Sequence, residues 1–336
     1  MTVSLENNFR FVIIGSGSMC RTYCAAIRAI PGACVTGVVS RSATAPVVPE
    51  GHPAVPVAFS LEAFADTCDA VIVTTPNGLH HEGAVAAARL NKHVLTEKPL
   101  DVTREAMDLM IRECKEHGVK LSVAFQRRMS PDNVVVKQLL DSGALGRVFA
   151  ADLIAKFYRP QAYYNSAAYR GSRKYDGGGP FMHQAAHNID ILCWFFGKPL
   201  RVVSALGTYA HDIEVEDHGA ALLMYPNNMI ATVIASTAAK PGFPAQLHIH
   251  TDKGAFIMEN DVITVWNIEG MENPTQSKGF AVHDSATSAA VKETAGHEAI
   301  IRDFIDAVKN NREPAISGES ARMATDVVLA IYENRL

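Results

Sequence analysis

FVIIGSGSMC, residues 11–20, sets an apolar, β-branched run against two closely spaced glycines and then an Ala-rich helical pattern. That is the strand, glycine turn and helix order by which a chain cradles a dinucleotide pyrophosphate. Gly15 permits the tight turn, and Gly17 lets backbone approach phosphate. Ser18 and Met19 then open a helix whose N–H groups and positive dipole end would face the anion. Cys20 stands where a G-x-G-x-x-G pattern has its third glycine, so a helix set slightly farther from its sheet is expected. An ordinary βα turn is the competing reading of two glycines alone.

The neighbouring sequence favours the first reading. ACVTGVV (33–39), DAVIVTT (69–75), HVLTE (93–97) and KLSVAF (120–125) are further runs suited to strands buried on both faces. Helical patterns fall between them at 78–90 and 103–117, and such alternation predicts a parallel, doubly wound sheet. The Pro- and Gly-bearing stretch SATAPVVPEGHPAVP (42–56) predicts an irregular crossover. The acidic residue that would hold an adenosine ribose is expected at the end of the second strand, where this chain has Ser40 and Arg41. A carboxylate there repels a 2′-phosphate, whereas Ser and Arg suit one, so NADP is favoured over NAD; the competing reading of Arg41 is a solvated loop cation.

The full length of 336 residues predicts two domains. An apolar fraction of 48% and a charged fraction of 20% exclude a disordered chain. The net charge of −4, with no Lys/Arg cluster interleaved with aromatics, argues against a nucleic-acid partner. The start MTVSLENNFR is polar and unlike a signal peptide, and no run of apolar residues is long enough to span a membrane, so a cytoplasmic protein is expected. Six cysteines without a CxxC pair read as structural thiols, and no metal site is expected.

After Arg128 the texture changes. A helix is predicted over 131–142, a strand over 147–157, a polar, Tyr- and Gly-rich segment to 179, and an apolar helix over FMHQAAHNIDILCWFF (181–196). Six strands then follow between 202 and 266 without intervening helices, which predicts a mostly antiparallel sheet, and two helices (297–311 and 319–333) close the chain. His183 and His187, spaced i and i+4 on the predicted helix, would project from one face as two proton carriers. Core histidines and metal ligands are the alternatives, although HQAAH lacks the glutamate of HExxH.

The GxG turn, TTPNGLHHEGA (74–84), Glu97-Lys98-Pro99 and GGGPFMHQAAHNID (177–190) together resemble the Gfo/Idh/MocA oxidoreductases over nearly the whole chain. The resemblance implies an α/β chain with an N-terminal Rossmann dinucleotide-binding domain (1–126). An α+β domain (127–336) with a large, mostly antiparallel open-faced sheet would follow, serving substrate binding and oligomerisation. It implies hydride transfer to or from a secondary alcohol or ketone carbon of a sugar, sugar derivative or cyclitol. Lys98 would lie near nicotinamide and substrate and stabilise alkoxide charge, and His187 would be the general base. His183 stands where the family commonly has Asp, and would share the proton work. Thr75, Pro76, Asn77, His80, Glu97 and Gln126 would line the dinucleotide. Gln184 and Asn188 would flank the substrate.

Five tyrosines in the segment 158–179 suit a sugar ring, with Arg159, Tyr163 and Arg170 as substrate candidates; tyrosines that glue a loop onto the sheet are the bland alternative. Two other functions stay open: a glycosidase or lyase that uses transient oxidation, and a non-enzymatic dinucleotide sensor. A homodimer or homotetramer is implied by the resemblance.

Overall fold

The computed structural model of the protein describes residues 8–41, 54–275 and 294–336. Most of the irregular crossover expected at 42–56 lies outside the described residues. The first stretch of chain contains β1 (Phe9–Ile14), α1 (Ser18–Arg28), β2 (Ala33–Val39), β3 (Val57–Ala58), β4 (Ala70–Val73), α2 (His80–Arg89), β5 (His93–Thr96), α3 (Arg104–Glu116) and β6 (Leu121–Val123). The strands pair in parallel in the order β3-β2-β1-β4-β5-β6. Phe11, Val12 and Ile13 of β1 and all of β4 are fully buried, as strands covered on both faces must be. Strand order reverses between β1 and β4, so the turns that leave these two strands flank the switch point where such sheets bind ligands.

The second stretch contains α4 (Pro131–Asp141), β7 (Val148–Lys156), α5 (Gln161–Asn165), α6 (Ala186–Phe196), β8 (Arg201–Gly207), β9 (His218–Met224), β10 (Ile230–Ser236), β11 (Gln246–Thr251), β12 (Gly254–Glu259) and β13 (Val262–Ile268). Seven strands form one sheet in the order β13-β12-β11-β7-β10-β9-β8. Only the central β7–β10 pair is parallel; the other pairs are antiparallel. Alternate residues such as Leu153, Ala231, Val233 and Ile249 join a core with Val136 of α4 and Ile189 and Leu192 of α6. The opposite alternation leaves Ile230 of β10 47% exposed, on the open face that the sequence predicts, while Phe149 is exposed at the register shift between β7 and β11.

The chain closes with α7 (Ala295–Lys309) and α8 (Gly318–Glu333). The compact units are Met1–Gln126 with Thr294–Ala321, and Arg127–Glu293 with Arg322–Leu336. This corrects the expectation that everything after residue 126 forms the second domain. The reason is apolar surface on α1 and β1 that α7 covers: the ring of Phe304 lies 6.3 Å from that of Phe11, and His297 meets Tyr23 edge-on at 5.3 Å. Beyond α7, the Ile316 carbonyl accepts from the Ser122 hydroxyl and the Val123 N–H, which closes the β6 edge of the parallel sheet.

Candidate functional site

In the first unit, the glycine turn after β1 is built for an anion. Gly15 has φ +109°, and a Cβ there would sit 2.7 Å from the Thr74 hydroxyl and 2.9 Å from its carbonyl oxygen, so both conformation and contact require glycine. Gly17 is the opposite case: a Cβ there would meet nothing within 4 Å. It is also the N-cap of α1, with no side-chain cap and no acidic residue in the first turn. The helix's first N–H groups and its positive end are thus left to a phosphate, and the residues fit a dinucleotide. Cys20 is fully buried against Cys24, one turn on; the Cys24 thiol and burial push the Cys20 thiol up. Ser18 and Met19 form the first turn of α1, and Ser18 is exposed.

At the end of β2, the buried Ser40 shares a hydrogen bond of 2.8 Å with Ser16 of the glycine turn, and Arg41 follows it, exposed. The turn after β4 holds Thr75, Pro76 and a buried Asn77. Thr75 donates its hydroxyl to the Leu79 carbonyl. His80 is fully buried, with Nδ1 2.8 Å from the Pro99 carbonyl oxygen and Nε2 3.0 Å from that of Thr75. Both ring nitrogens are thereby engaged, which corrects the expectation that His80 reaches the dinucleotide. It fastens the turn after β4 to the turn after β5.

Glu97 needs the same correction. One carboxylate oxygen accepts the Tyr23 hydroxyl at 2.8 Å and the other accepts the Lys98 N–H at 3.2 Å, while His297 stands 3.9 Å away. The carboxylate turns inward between α1 and α7, and burial with its charge pushes the Tyr23 hydroxyl well above its usual range. Lys98 is half-buried, held between Glu97 on one side and the Pro99 that His80 grips on the other. Gln126, the last residue of this stretch, has a buried carboxamide oxygen with no partner among the described residues.

In the second unit, the helix expected over 181–196 begins only at Ala186. His183 lies in the turn before it, so the two histidines are not one turn apart on a single helix face. The cause is the glycine run. A Cβ on Gly179 would lie 1.8 Å from the Glu216 carbonyl oxygen, and one on Gly178 would lie 2.0 Å from the Tyr332 hydroxyl. Backbone pressed that closely leaves in a wider coil, in which the Ala185 N–H reaches the Pro180 carbonyl, five residues back. Gly179→Ala is therefore expected to cost about 1–3 kcal/mol or more in denaturant unfolding, since the facing atom is backbone and cannot move aside cheaply.

From Gly178 to Cys193 every residue is buried except His183, Gln184 and His187, which are half-buried. The Gln184 carboxamide is within hydrogen-bonding reach of the Tyr163 hydroxyl. That tyrosine is flanked by the guanidinium of Arg170, 4.1 Å from its ring centre, and by that of Arg159, 5.8 Å away. Burial pushes the Tyr163 hydroxyl up, against the pull of Arg170. Arg159, Tyr163, Arg170 and Gln184 thus form one cluster beside the histidine segment. Its base is fixed by Tyr164, whose hydroxyl bonds Thr237 at 2.7 Å, and by His211, which bridges the Arg159 carbonyl and Asp217. Asn188 falls elsewhere. It lines a separate cavity of about 10 Å³ with Asn133, Gln246 and Asp261, room for one water.

Sequence reasoning missed the ion pair beneath His187. Arg128 donates to both carboxylate oxygens of Asp190, at 2.8 and 2.6 Å, with both side chains buried. An acid inside so apolar a helix was the available signal. No helix among the described residues is long and apolar enough to cross a membrane, and no group of three or more His, Cys, Asp or Glu among them could hold a metal ion.

Residues 9–125 match the family model of an oxidoreductase family with an NAD-binding Rossmann fold, and residues 134–257 match that of the GFO/IDH/MocA C-terminal domain. The chain is similar to the scyllo-inositol 2-dehydrogenase (NADP(+)) of Bacillus subtilis, at 28% identity over 69% of this chain and 61% of that enzyme. It is similar to the inositol 2-dehydrogenase of Rhizobium meliloti, at 25% identity over 82% of each. Among solved structures it is similar to the WlbA dehydrogenase from Bordetella pertussis in complex with NADH and UDP-GlcNAcA. That structure has a TM-score of 0.85 and 26% identity, covering 97% of this chain and 96% of the other.

Proposed function

The chain belongs to the Gfo/Idh/MocA oxidoreductase family, and from that premise we propose that it moves a hydride between a nicotinamide dinucleotide and a secondary alcohol or ketone carbon of a sugar, sugar derivative or cyclitol. The observation that carries the reading is the uncapped α1 N-terminus behind an open Gly17, at the switch point of the parallel sheet. Relatives named as inositol dehydrogenases, and a structural neighbour bound to NADH and a nucleotide sugar, support the substrate class. When bound, the nicotinamide accepts or supplies the hydride. Lys98 donates a hydrogen bond to the reacting oxygen and stabilises its developing negative charge. His187 removes the hydroxyl proton in the oxidative direction and returns it in the reductive one. His80 and Glu97 are positioning residues that fix the turn carrying Lys98.

The test is a panel of sugars and cyclitols with each oxidised dinucleotide, read at the absorbance of reduced nicotinamide. A panel without reduction, with dinucleotide bound, overturns the reading. NADP is the favoured cofactor because Ser40 and Arg41 replace the carboxylate that would repel a 2′-phosphate. Arg41→Asp is expected to weaken NADP binding by about tenfold or more while sparing NAD, because it removes one charge-assisted contact and adds a repulsive charge. Equal NADP affinity before and after the change overturns the cofactor assignment. A cytoplasmic homodimer or homotetramer completes the reading, supported by the half-exposed apolar residues on the open sheet face.

A further inference from the structure

Residues 158–176 carry four cations, Arg159, Arg170, Arg173 and Lys174, against one acid, Asp176, in a chain whose net charge is −4. Arg10, Arg89, Arg128 and Arg312 each pair with at least one carboxylate. Arg170 does not. Among the described residues its side chain makes no hydrogen bond and no ion pair, and its Nε is buried without a partner. Its contacts are two ring faces, Tyr163 at 4.1 Å and Tyr169 at 5.6 Å. The nearby Asp176 accepts the Gly171 N–H at 2.6 Å.

A half-buried guanidinium clamped between aromatic faces has lost part of its hydration and most of its rotamer freedom. Such a group is prepared for an oxyanion, whose two oxygens match the planar fork. The group beside it is also incomplete. Gln184, within reach of the Tyr163 hydroxyl, has its carbonyl oxygen buried without a partner, which suits a hydroxyl donor. An oxyanion acceptor next to an unfilled hydrogen-bond acceptor, on the segment that carries His187, describes a hydroxylated acid rather than a neutral polyol.

We propose that the substrate carries an oxyanion, a carboxylate or a phosphate, which the Arg170 guanidinium receives beside Tyr163 while a neighbouring hydroxyl donates to Gln184. The proposal rests on the dehydrogenase reading for the identity of the reacting carbon, but the anion site is testable without it. Arg159, at 5.8 Å from the same ring, adds positive charge from the other side.

The test is equilibrium binding to the whole protein with oxidised dinucleotide present, at low salt, of D-glucuronate, D-glucose 6-phosphate, D-glucose and myo-inositol. Binding is measured on the wild type, R170M and R170K, with nicotinamide absorbance followed in the same samples. Wild type is expected to bind at least one anionic sugar tenfold or more tighter than the neutral sugars, R170M to lose that preference, and R170K to keep part of it. Whether glucuronate or the phosphate is preferred identifies the oxyanion. Equal affinities for charged and neutral sugars in the wild type, or a preference that survives in R170M, overturns the proposal. Should R170M fail to fold, judged by its dinucleotide affinity, the wild-type preference and its partial retention in R170K still decide the question. Selective binding without reduction sinks the dehydrogenase reading and leaves the anion site standing; reduction of neutral sugars without selectivity does the reverse.

Discussion

Replacing His187 with alanine is expected to lower kcat by about 10²–10⁴-fold, the usual span for a lost acid/base group, while dinucleotide binding is unchanged. The two quantities separate because the residues that fit the dinucleotide, Gly15, Gly17 and the first turn of α1, belong to one compact unit and His187 to the other. His187 is the second residue of α6 and one of three half-buried residues in an otherwise buried stretch. Lys98→Met is expected to lower kcat on a similar scale. Steady-state kinetics with added imidazole gives the sharper check, since a small base can restore part of the His187→Ala rate but none of the Lys98→Met rate. Unchanged kcat in His187→Ala removes the residue from the mechanism.

How far the sequence could be read depended on how local each cause was. The strand and glycine turn at 11–17 were legible because the constraints on Gly15 come from its own turn and from a strand that every sheet of this kind places beside it. The seven-stranded sheet was legible because alternation along each strand already marks its buried face. The helix start at Ala186 was not. It depends on Glu216, 37 residues after Gly179, and on Tyr332 at the far end of the chain, neither of which a local pattern can locate. The amphipathic period of α7 was visible, but its partners Phe11 and Tyr23 lie nearly 300 residues earlier, so its membership of the first unit was hidden. His80 and Glu97 show the same limit within a motif. Their residue types pointed to a dinucleotide site, whereas their side chains turn towards Pro99 and Tyr23 and hold Lys98 in place.

The ion pair under His187 supports the second large prediction, on stability. Asp190→Ala removes a bidentate carboxylate partner of a guanidinium that is only 4% exposed, and breaking a buried pair by removing one member costs about 3–5 kcal/mol. Thermal unfolding of that variant should fall by roughly 10 °C. The pair itself is a different matter. Burial pushes the Asp190 carboxyl up in spite of Arg128, so the folded state holds the proton more tightly than the unfolded chain does. The sign follows: this group contributes stability below the ordinary carboxyl range and loses it as pH rises through the folded-state value. The bidentate pair ties Arg128, in the 126–129 turn, to the helix that carries His187. Arg128→Met with Asp190→Leu should therefore recover most or all of the lost stability near pH 7, yet leave kcat well below wild type. Recovery of both sinks the positioning role; recovery of neither shows that the guanidinium, 5.9 Å from the Trp194 ring, matters for its packing rather than for its pair.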